Sequence, residues 1–344
     1  MNYRTLGRTG LKVSELCLGT MTFGENFYGI AVVDQPAANA MVKRAWEAGI
    51  NFFDTADVYS YGQSEIVLGQ ALKDCGLDRD SVIIATKVRS AMTEAATQGT
   101  GDVNNVGLSR QHIMAAVENS LRRLQTDYID LYQVHGWDVL TPIEETLRAL
   151  DDLVRQGKVR YIGCSNWSAR HLMKAVCLSR ANRWAQFVSL QAYYSLVGRD
   201  LEHELLPLCR EEGLGVLPWS PLSGGFLSGK YTRENPSPEG ARRSGFQFPP
   251  IDEARGFDAV EALARIAKEK GASVAQVALA WLLAQSGVTS VIIGANKSSQ
   301  LEDNLKAAEL QLSAAEIEVL SATTMPAAQY PQWMIERQNE GRTT

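Results

Sequence analysis

The sequence lacks most features that mark specialised protein classes. Its five cysteines (Cys17, Cys75, Cys164, Cys177 and Cys209) are odd in number and scattered, with no CxxC, which argues against a disulfide framework. Its four histidines (His112, His135, His171 and His203) stand apart from one another and from cysteine, so no metal site is expected. There is no basic excess: 34 Lys+Arg against 39 Asp+Glu leave a formal charge of −5, unfavourable to nucleic-acid or anionic-membrane partners. The longest apolar run, 277–284, is far short of the ~20 residues of a membrane span. Residues 1–7 carry no apolar core of a signal peptide. What remains is a chain of 344 residues, 45% hydrophobic and 21% charged, the composition of a soluble, cytoplasmic globular protein.

Short apolar runs rich in β-branched residues alternate with segments of helical period. Strands are expected at 15–18, 51–54, 82–87, 131–135, 161–165, 189–193, 215–219 and 291–294. Helices are expected at 37–48, 64–72, 110–124, 142–155, 171–178, 201–212, 274–284 and 300–308. Thr141-Pro142-Ile143-Glu144 reads as a helix start, with Thr141 as cap and Glu144 as its capping-box partner. Regular β-then-α alternation implies parallel strands and right-handed crossovers, and eight such units make a (β/α)8 TIM barrel, an α/β fold. Three pieces fall outside the repeat: an N-terminal β-hairpin closing the barrel's bottom, a long Gly/Pro/Arg-rich loop after the seventh strand, and a C-terminal tail expected over the mouth. One domain covering 1–344 is the reading.

Barrel enzymes carry their chemistry at the C-terminal strand ends. There the second strand ends in Asp54, with Tyr59 just beyond, the third in Lys87 and the fourth in His135. The fifth ends in Ser165-Asn166, the sixth in Gln191 and the seventh in Trp219-Ser220. A phenol is a poor acid at neutral pH unless a cation stabilises its phenolate. Lys87 and Asp54 are therefore expected to lower the Tyr59 pKa, and His135 to orient a substrate oxygen, as carbonyl reduction requires. Singly, Lys87 is more often a structural ion pair, Tyr59 a packing residue and His135 a core histidine. Their convergence on one barrel edge is what favours chemistry.

Phe53-Asp54-Thr55-Ala56-Asp57-Val58-Tyr59 and Gly62-Gln63-Ser64-Glu65 resemble the first signature of the aldo-keto reductase family. Ser120-Leu121-Arg122-Arg123-Leu124 followed by 127–135 resembles the second, and Tyr161-Ile162-Gly163-Cys164-Ser165-Asn166 and Pro218-Trp219-Ser220-Pro221-Leu222 extend the likeness along the chain. The resemblance implies a catalytic tetrad of Asp54, Tyr59, Lys87 and His135 and an NADP(H) cofactor laid across the barrel mouth, with NAD less favoured. It places Ser165, Asn166 and Gln191 on the nicotinamide carboxamide, Trp219 on its ring and Thr20 and Met21 beneath the ribose, and it counts Gly19 and Asp54 among the cofactor-binding residues. It places Ser220, Leu222, Gly224 and Lys230 on the pyrophosphate and Gly294, Asn296, Lys297, Gln300, Asp303 and Asn304 at the adenosine end, and it counts Pro221 among the cofactor-binding residues. Lys297, near the start of the last barrel helix, suits a 2′-phosphate, since cation and helix N-terminus both favour an anion.

Gly224 to Lys230 also fits the G-x-x-x-x-G-K of a phosphate-binding loop, but Tyr231 stands where Ser or Thr would ligate magnesium, and Pro236 and Pro238 interrupt any following helix. That context disfavours an NTPase. Two rivals remain: a cofactor-sensing regulatory protein on the same fold with little turnover, and a Schiff-base lyase using Lys87. The expected partner is a small carbonyl or alcohol substrate. Its walls are expected from Phe23, Phe27, Tyr28, Arg89, the 91–107 insertion, Trp137 and the tail near Trp333.

Overall fold

Residues 1–25, 27–30 and 32–342 are described by the computed structural model. A hairpin of β1 (Tyr3–Thr5) and β2 (Lys12–Ser14) opens the chain. The barrel strands are β3 (Leu16–Gly19), β4 (Phe52–Asp54), β5 (Ile83–Val88), β6 (Ile129–Val134), β7 (Val159–Ser165), β8 (Phe187–Tyr193), β9 (Gly215–Trp219) and β10 (Val291–Ile293). The helices are α1 (Gln35–Glu47), α2 (Gln63–Asp74), α3 (Glu94–Gln98), α4 (Arg110–Leu124), α5 (Ile143–Arg155), α6 (Ala169–Asn182) and α7 (Leu205–Glu212). After β9 come α8 (Arg242–Gly245), α9 (Glu253–Lys270), α10 (Val274–Leu283), α11 (Ser298–Leu305), α12 (Ala314–Thr323) and α13 (Gln332–Gln338).

The eight strands β3–β10 form one parallel sheet in the order β10-β3-β4-β5-β6-β7-β8-β9. The ring closes between β9 and β10 through a bridge from Val216 to Val288. This is the (β/α)8 barrel that the alternation predicts. Every residue of β5 and β6 is buried, as strands covered on both faces require. Cys17, Phe52, Ala85, Leu131 and Leu217 fill the barrel interior, and Leu6 and Val13 of the hairpin plug its N-terminal end. The remaining core lies between strands and helices, leaving the C-terminal strand ends open.

Helix starts follow local capping: Asp34 accepts from Ala37 N, Ser109 from His112 N, and Ser273 and Ser313 form capping boxes with Gln276 and Glu316. Three expectations are corrected. The box expected at Thr141 does not form, because the Thr141 hydroxyl donates to Asp138 Oδ2 at 2.6 Å and α5 starts without a side-chain cap. The helix expected over 201–212 begins only at Leu205. Pro207 explains the break: deep in a longer helix its ring would clash with the His203 carbonyl.

The third concerns the C-terminal tail, which does not roof the mouth. Leu320 is buried, and Ser321 accepts hydrogen bonds from Trp281 Nε1 at 3.0 Å and, through its carbonyl, from Arg199 Nη1 at 2.5 Å, pinning α12 to the outer helical layer. Tyr330 and Trp333 pack on each other at the surface.

Candidate active site

The mouth of the barrel holds a cavity of about 480 Å³. Lys87, last but one in β5, is fully buried and spends its ammonium on three partners: Asp54 Oδ2 at 2.5 Å, the Thr55 carbonyl at 2.8 Å and the Tyr59 hydroxyl at 3.3 Å. Asp54 ends β4, and its other oxygen accepts from Gln191 Nε2 at 2.8 Å and Gln133 Nε2 at 3.1 Å. Both carboxylate oxygens are thus engaged, which fixes the ring of polar groups through protein contacts alone.

Tyr59 follows β4 on a turn whose next three residues, Ser60, Tyr61 and Gly62, have φ of 49°, 51° and 91°. Two successive non-glycine residues in the left-handed region are costly, and such strain is retained where the surrounding structure needs a side chain aimed. Here the aimed side chain is Tyr59. His135, one residue past β6, is held by its N–H to the Val88 carbonyl at 2.9 Å and meets the Tyr59 ring edge to face at 5.7 Å.

Burial pushes the Tyr59 hydroxyl above its ordinary value; the Lys87 ammonium opposes this, but the Asp54 carboxylate adds to the upward shift. The expectation that Lys87 and Asp54 together lower it is therefore corrected: only the cation lowers it, and desolvation wins. Burial alone would lower the Lys87 ammonium, but the charges of Asp54 and Tyr59 and hydrogen bonds to both raise it overall. Burial, then the charges of Lys87 and Arg89, hold His135 well below its ordinary range, so its imidazole is neutral near pH 7. The site joins a protonated phenol, an ammonium paired to a carboxylate, and a neutral imidazole.

Of the residues expected to hold a cofactor, Gly19, Thr20, Met21, Asp54, Ser165, Asn166, Gln191, Trp219, Ser220, Pro221 and Gly294 line the cavity. Asn166 Oδ1 accepts from Trp219 Nε1 at 3.0 Å, and among the described residues Asn166 Nδ2 has no hydrogen-bond acceptor. Gln191 spends Nε2 on Asp54 and Gln133, leaving its Oε1 as an acceptor. Leu222, Gly224 and Lys230 lie on the turn leaving β9 and outside the cavity lining. Gly224 has φ of 68°, and a Cβ there would stand 2.6 Å from the Phe248 carbonyl oxygen.

Asn296, Lys297, Gln300, Asp303 and Asn304 also lie beyond the lining, around the start of α11. Lys297 is exposed at the N-cap position. Gln300 Oε1 accepts from Asn296 N at 2.9 Å, and Asp303 accepts from Ser273 and Gln276 at 2.7 and 2.6 Å, tying α11 to the start of α10.

The candidate substrate walls divide. Tyr28 and Phe27 line the cavity. Phe23 is 1% exposed and belongs to the core. Arg89 donates to the Trp137 carbonyl at 3.0 Å, and Trp137 stacks on His171 at 3.7 Å, so both stand outside the lining, as does Trp333. The structure adds Arg242, Phe246 and Phe248 from the loop after β9, and Gln133 behind Asp54. Gln133 is traceable in sequence, because it lies opposite Lys87 in the β5–β6 register and faces the same way. The loop residues carry no periodic signal. Among the described residues no group of His, Cys, Asp and Glu is arranged to hold a metal, and no helix is long and apolar enough to cross a membrane.

The barrel thus gathers a buried Asp–Lys–Tyr contact and a histidine at one mouth. The sequence matches the model of the aldo/keto reductase family over residues 15–323. It is 41% identical to an uncharacterized oxidoreductase, YrpG, of Bacillus subtilis (91% of this chain, 92% of the relative). It is 34% identical to versiconal hemiacetal acetate reductase of Aspergillus parasiticus (96% and 99%) and 37% identical to a probable voltage-gated potassium channel subunit beta of Oryza sativa subsp. japonica (90% and 92%). The chain belongs to the aldo/keto reductase family. That membership supports an oxidoreductase role on a small-molecule substrate with a nicotinamide cofactor.

Proposed function

We propose that the protein catalyses the reversible, NADPH-dependent reduction of an aldehyde or ketone to an alcohol, with Tyr59 as the proton donor. The observation that carries this reading is the buried Lys87 ammonium in contact with both Asp54, at 2.5 Å, and the Tyr59 hydroxyl, at 3.3 Å, two residues that line a cavity with aromatic walls. A bound nicotinamide supplies the hydride that this chemistry needs, since amino-acid side chains are not hydride donors.

The chain's own residues do the rest. Tyr59, protonated in the resting site, donates its hydroxyl proton to the carbonyl oxygen. The phenolate that remains faces Lys87, whose charge is held in place by Asp54, so charge that develops during transfer is met by a preorganised cation. Neutral His135 gives a second hydrogen bond to the same oxygen. The residues present fit a dinucleotide. Asn166 Nδ2 and Gln191 Oε1 offer the donor and acceptor a carboxamide requires, and Trp219 offers a ring face. Arg242, a cavity-lining guanidinium whose buried Nε has no hydrogen-bond partner among the described residues, and exposed Lys297 at the N-cap of α11 offer charge to phosphates. Lys297 supports NADPH over NADH.

A cofactor-sensing role is the second reading, favoured by the channel-subunit name of the rice relative. Consumption of NADPH by the purified protein over a panel of aldehydes and ketones separates the two. Turnover of any carbonyl well above the cofactor's background loss supports the reductase, and tight NADPH binding without turnover supports the sensor.

A further inference from the structure

We propose that a second cavity, walled by the turn after β4, the insertion after β5 and helix α4, binds a small organic cation, a protonated primary amine whose ammonium is held by Asp57. The site is separate from the barrel mouth, and the proposal does not rest on the reductase reading.

This cavity measures about 250 Å³ and shares no lining residue with the one at the mouth. The turn after β4 divides the two: Val58 and Tyr59 line the mouth, whereas Asp57 and Tyr61 line the second cavity. Another wall is α4, which presents His112, Ala116, Asn119 and Arg123. Their spacing, i, i+4, i+7 and i+11, is one face of a helix. That face is mostly polar, while the same helix buries Ile113, Val117 and Leu121 in the core.

Two side chains of this lining are buried without partners. Asp57 is 1% exposed; its Oδ1 accepts from Val58 N at 2.7 Å, but Oδ2 has no hydrogen-bond partner among the described residues. His112 is 2% exposed, and its Nε2 is likewise unpartnered. Buried polar atoms are nearly always satisfied by protein, water or a bound ion, so these two mark a place for a binding partner.

The buried charges fix its sign. Asp54 is paired with Lys87, and Glu65 with Arg123 at 2.6 Å, while the other Glu65 oxygen accepts from Thr86 Oγ1 at 2.6 Å. Asp57 forms no ion pair among the described residues, so one carboxylate lacks a cation. Burial, then the Glu65 charge, pushes the Asp57 carboxyl well above its usual range, a shift that a cation beside it would reverse. Burial lowers the His112 pKa, so its imidazole stays neutral and, with the proton on Nδ1, Nε2 accepts a hydrogen bond. An ammonium brings three donors and no acceptor, which suits both atoms. The volume calls for more than a single ion, since one water needs only about 10–15 Å³ of such space. Among the described residues no His, Cys, Asp and Glu are grouped to hold a metal. An amine fills the space with its carbon chain, beside the Asn105 and Asn119 side chains.

The test titrates the full-length protein calorimetrically with n-propylammonium chloride, and separately with potassium chloride and with 1-propanol, the uncharged analogue. The wild type is expected to bind propylammonium at least about tenfold more tightly than either control, as a charge-assisted hydrogen bond to a buried carboxylate predicts. Asp57→Asn keeps the shape and the acceptor for Val58 N but removes the charge, and is expected to weaken propylammonium at least about tenfold. Ala116→Leu fills the cavity from α4 without touching that charge and is expected to weaken it as strongly. Absence of propylammonium binding by the wild type overturns the proposal. So does binding of potassium or 1-propanol as tight as that of the amine, or an affinity unchanged in either variant. The comparison of the three ligands on the wild type decides the matter even where a variant does not fold. No readout depends on turnover, so a failure of the reductase reading leaves the test intact.

Discussion

Lys87 and Asp54 meet at 2.5 Å with 0% and 3% of their side chains exposed, and the Tyr59 hydroxyl completes the contact from the cavity side. The pair is a structural commitment as well as a catalytic one, because neither charge has water to fall back on. Lys87→Met leaves a buried carboxylate without its cation and is expected to cost about 3–5 kcal/mol of stability. Asp54→Asn/Lys87→Met is expected to recover much of that loss while remaining inactive. Urea unfolding of both variants checks it. Equal stability of the single and double variants would speak against a charge penalty at this site.

The titration of the site has a sign that can be read in the pH profile. Reduction needs Tyr59 protonated, and burial raises its pKa above the ordinary 10.0. The falling limb of kcat/KM for reduction is therefore expected above pH 10.0. His135 is held below its ordinary 6.5, so protonation of the imidazole adds no limb between pH 6.5 and the tyrosine limb. Initial rates of carbonyl reduction across this range check both statements. A limb centred near neutrality would place a different group in the donor's role.

Cofactor choice is expected to turn on Lys297. Lys297→Ala removes the exposed cation at the N-cap of α11 and should weaken NADPH about tenfold while leaving NADH unchanged, as loss of one charge-assisted phosphate contact predicts. Fluorescence titrations with both nucleotides provide the comparison. A parallel loss for both would show that the residue acts on the fold of the α11 start.

Gly224 is required by geometry. Its φ is 68°, and a methyl group added there would approach the Phe248 carbonyl oxygen to 2.6 Å, so Gly224→Ala must displace the loop after β9. The variant is expected to lose at least about 1 kcal/mol of stability and to weaken NADPH binding, read by thermal unfolding and by titration.

Much of this site is legible in the sequence because the barrel concentrates it on one edge. Strands buried on both faces read as continuous apolar runs, and the polar residues near their C-terminal ends, Asp54, Lys87 and Gln191, stand out against those runs. β6 starts two residues earlier than its apolar run suggests. Asp130 interrupts that run, yet it is buried in the strand and accepts from Arg79 Nη2 at 2.7 Å and Ile84 N at 2.9 Å. The loop after β9 is opaque for the opposite reason. Phe246 and Phe248 follow no period, and only the tertiary stack on Tyr28 and Trp219 brings them to the cavity. The tail misleads because the aromatic Trp333 suggests a segment lying over the mouth, whereas Ser321 anchors the preceding helix to Trp281 and Arg199. The direction of the Tyr59 shift escapes a sequence reading because burial, which outweighs the nearby cation, has no signature there.

The central claim is that the Tyr59 hydroxyl delivers the proton. Tyr59→Phe removes one oxygen and leaves the ring packing on Phe27 and His135 intact. Steady-state NADPH oxidation by this variant with an aldehyde that the wild type reduces, measured beside its NADPH dissociation constant, is the most direct test. The account predicts turnover lower by about 10²–10⁴-fold with cofactor affinity unchanged. Turnover at the wild-type rate would contradict it.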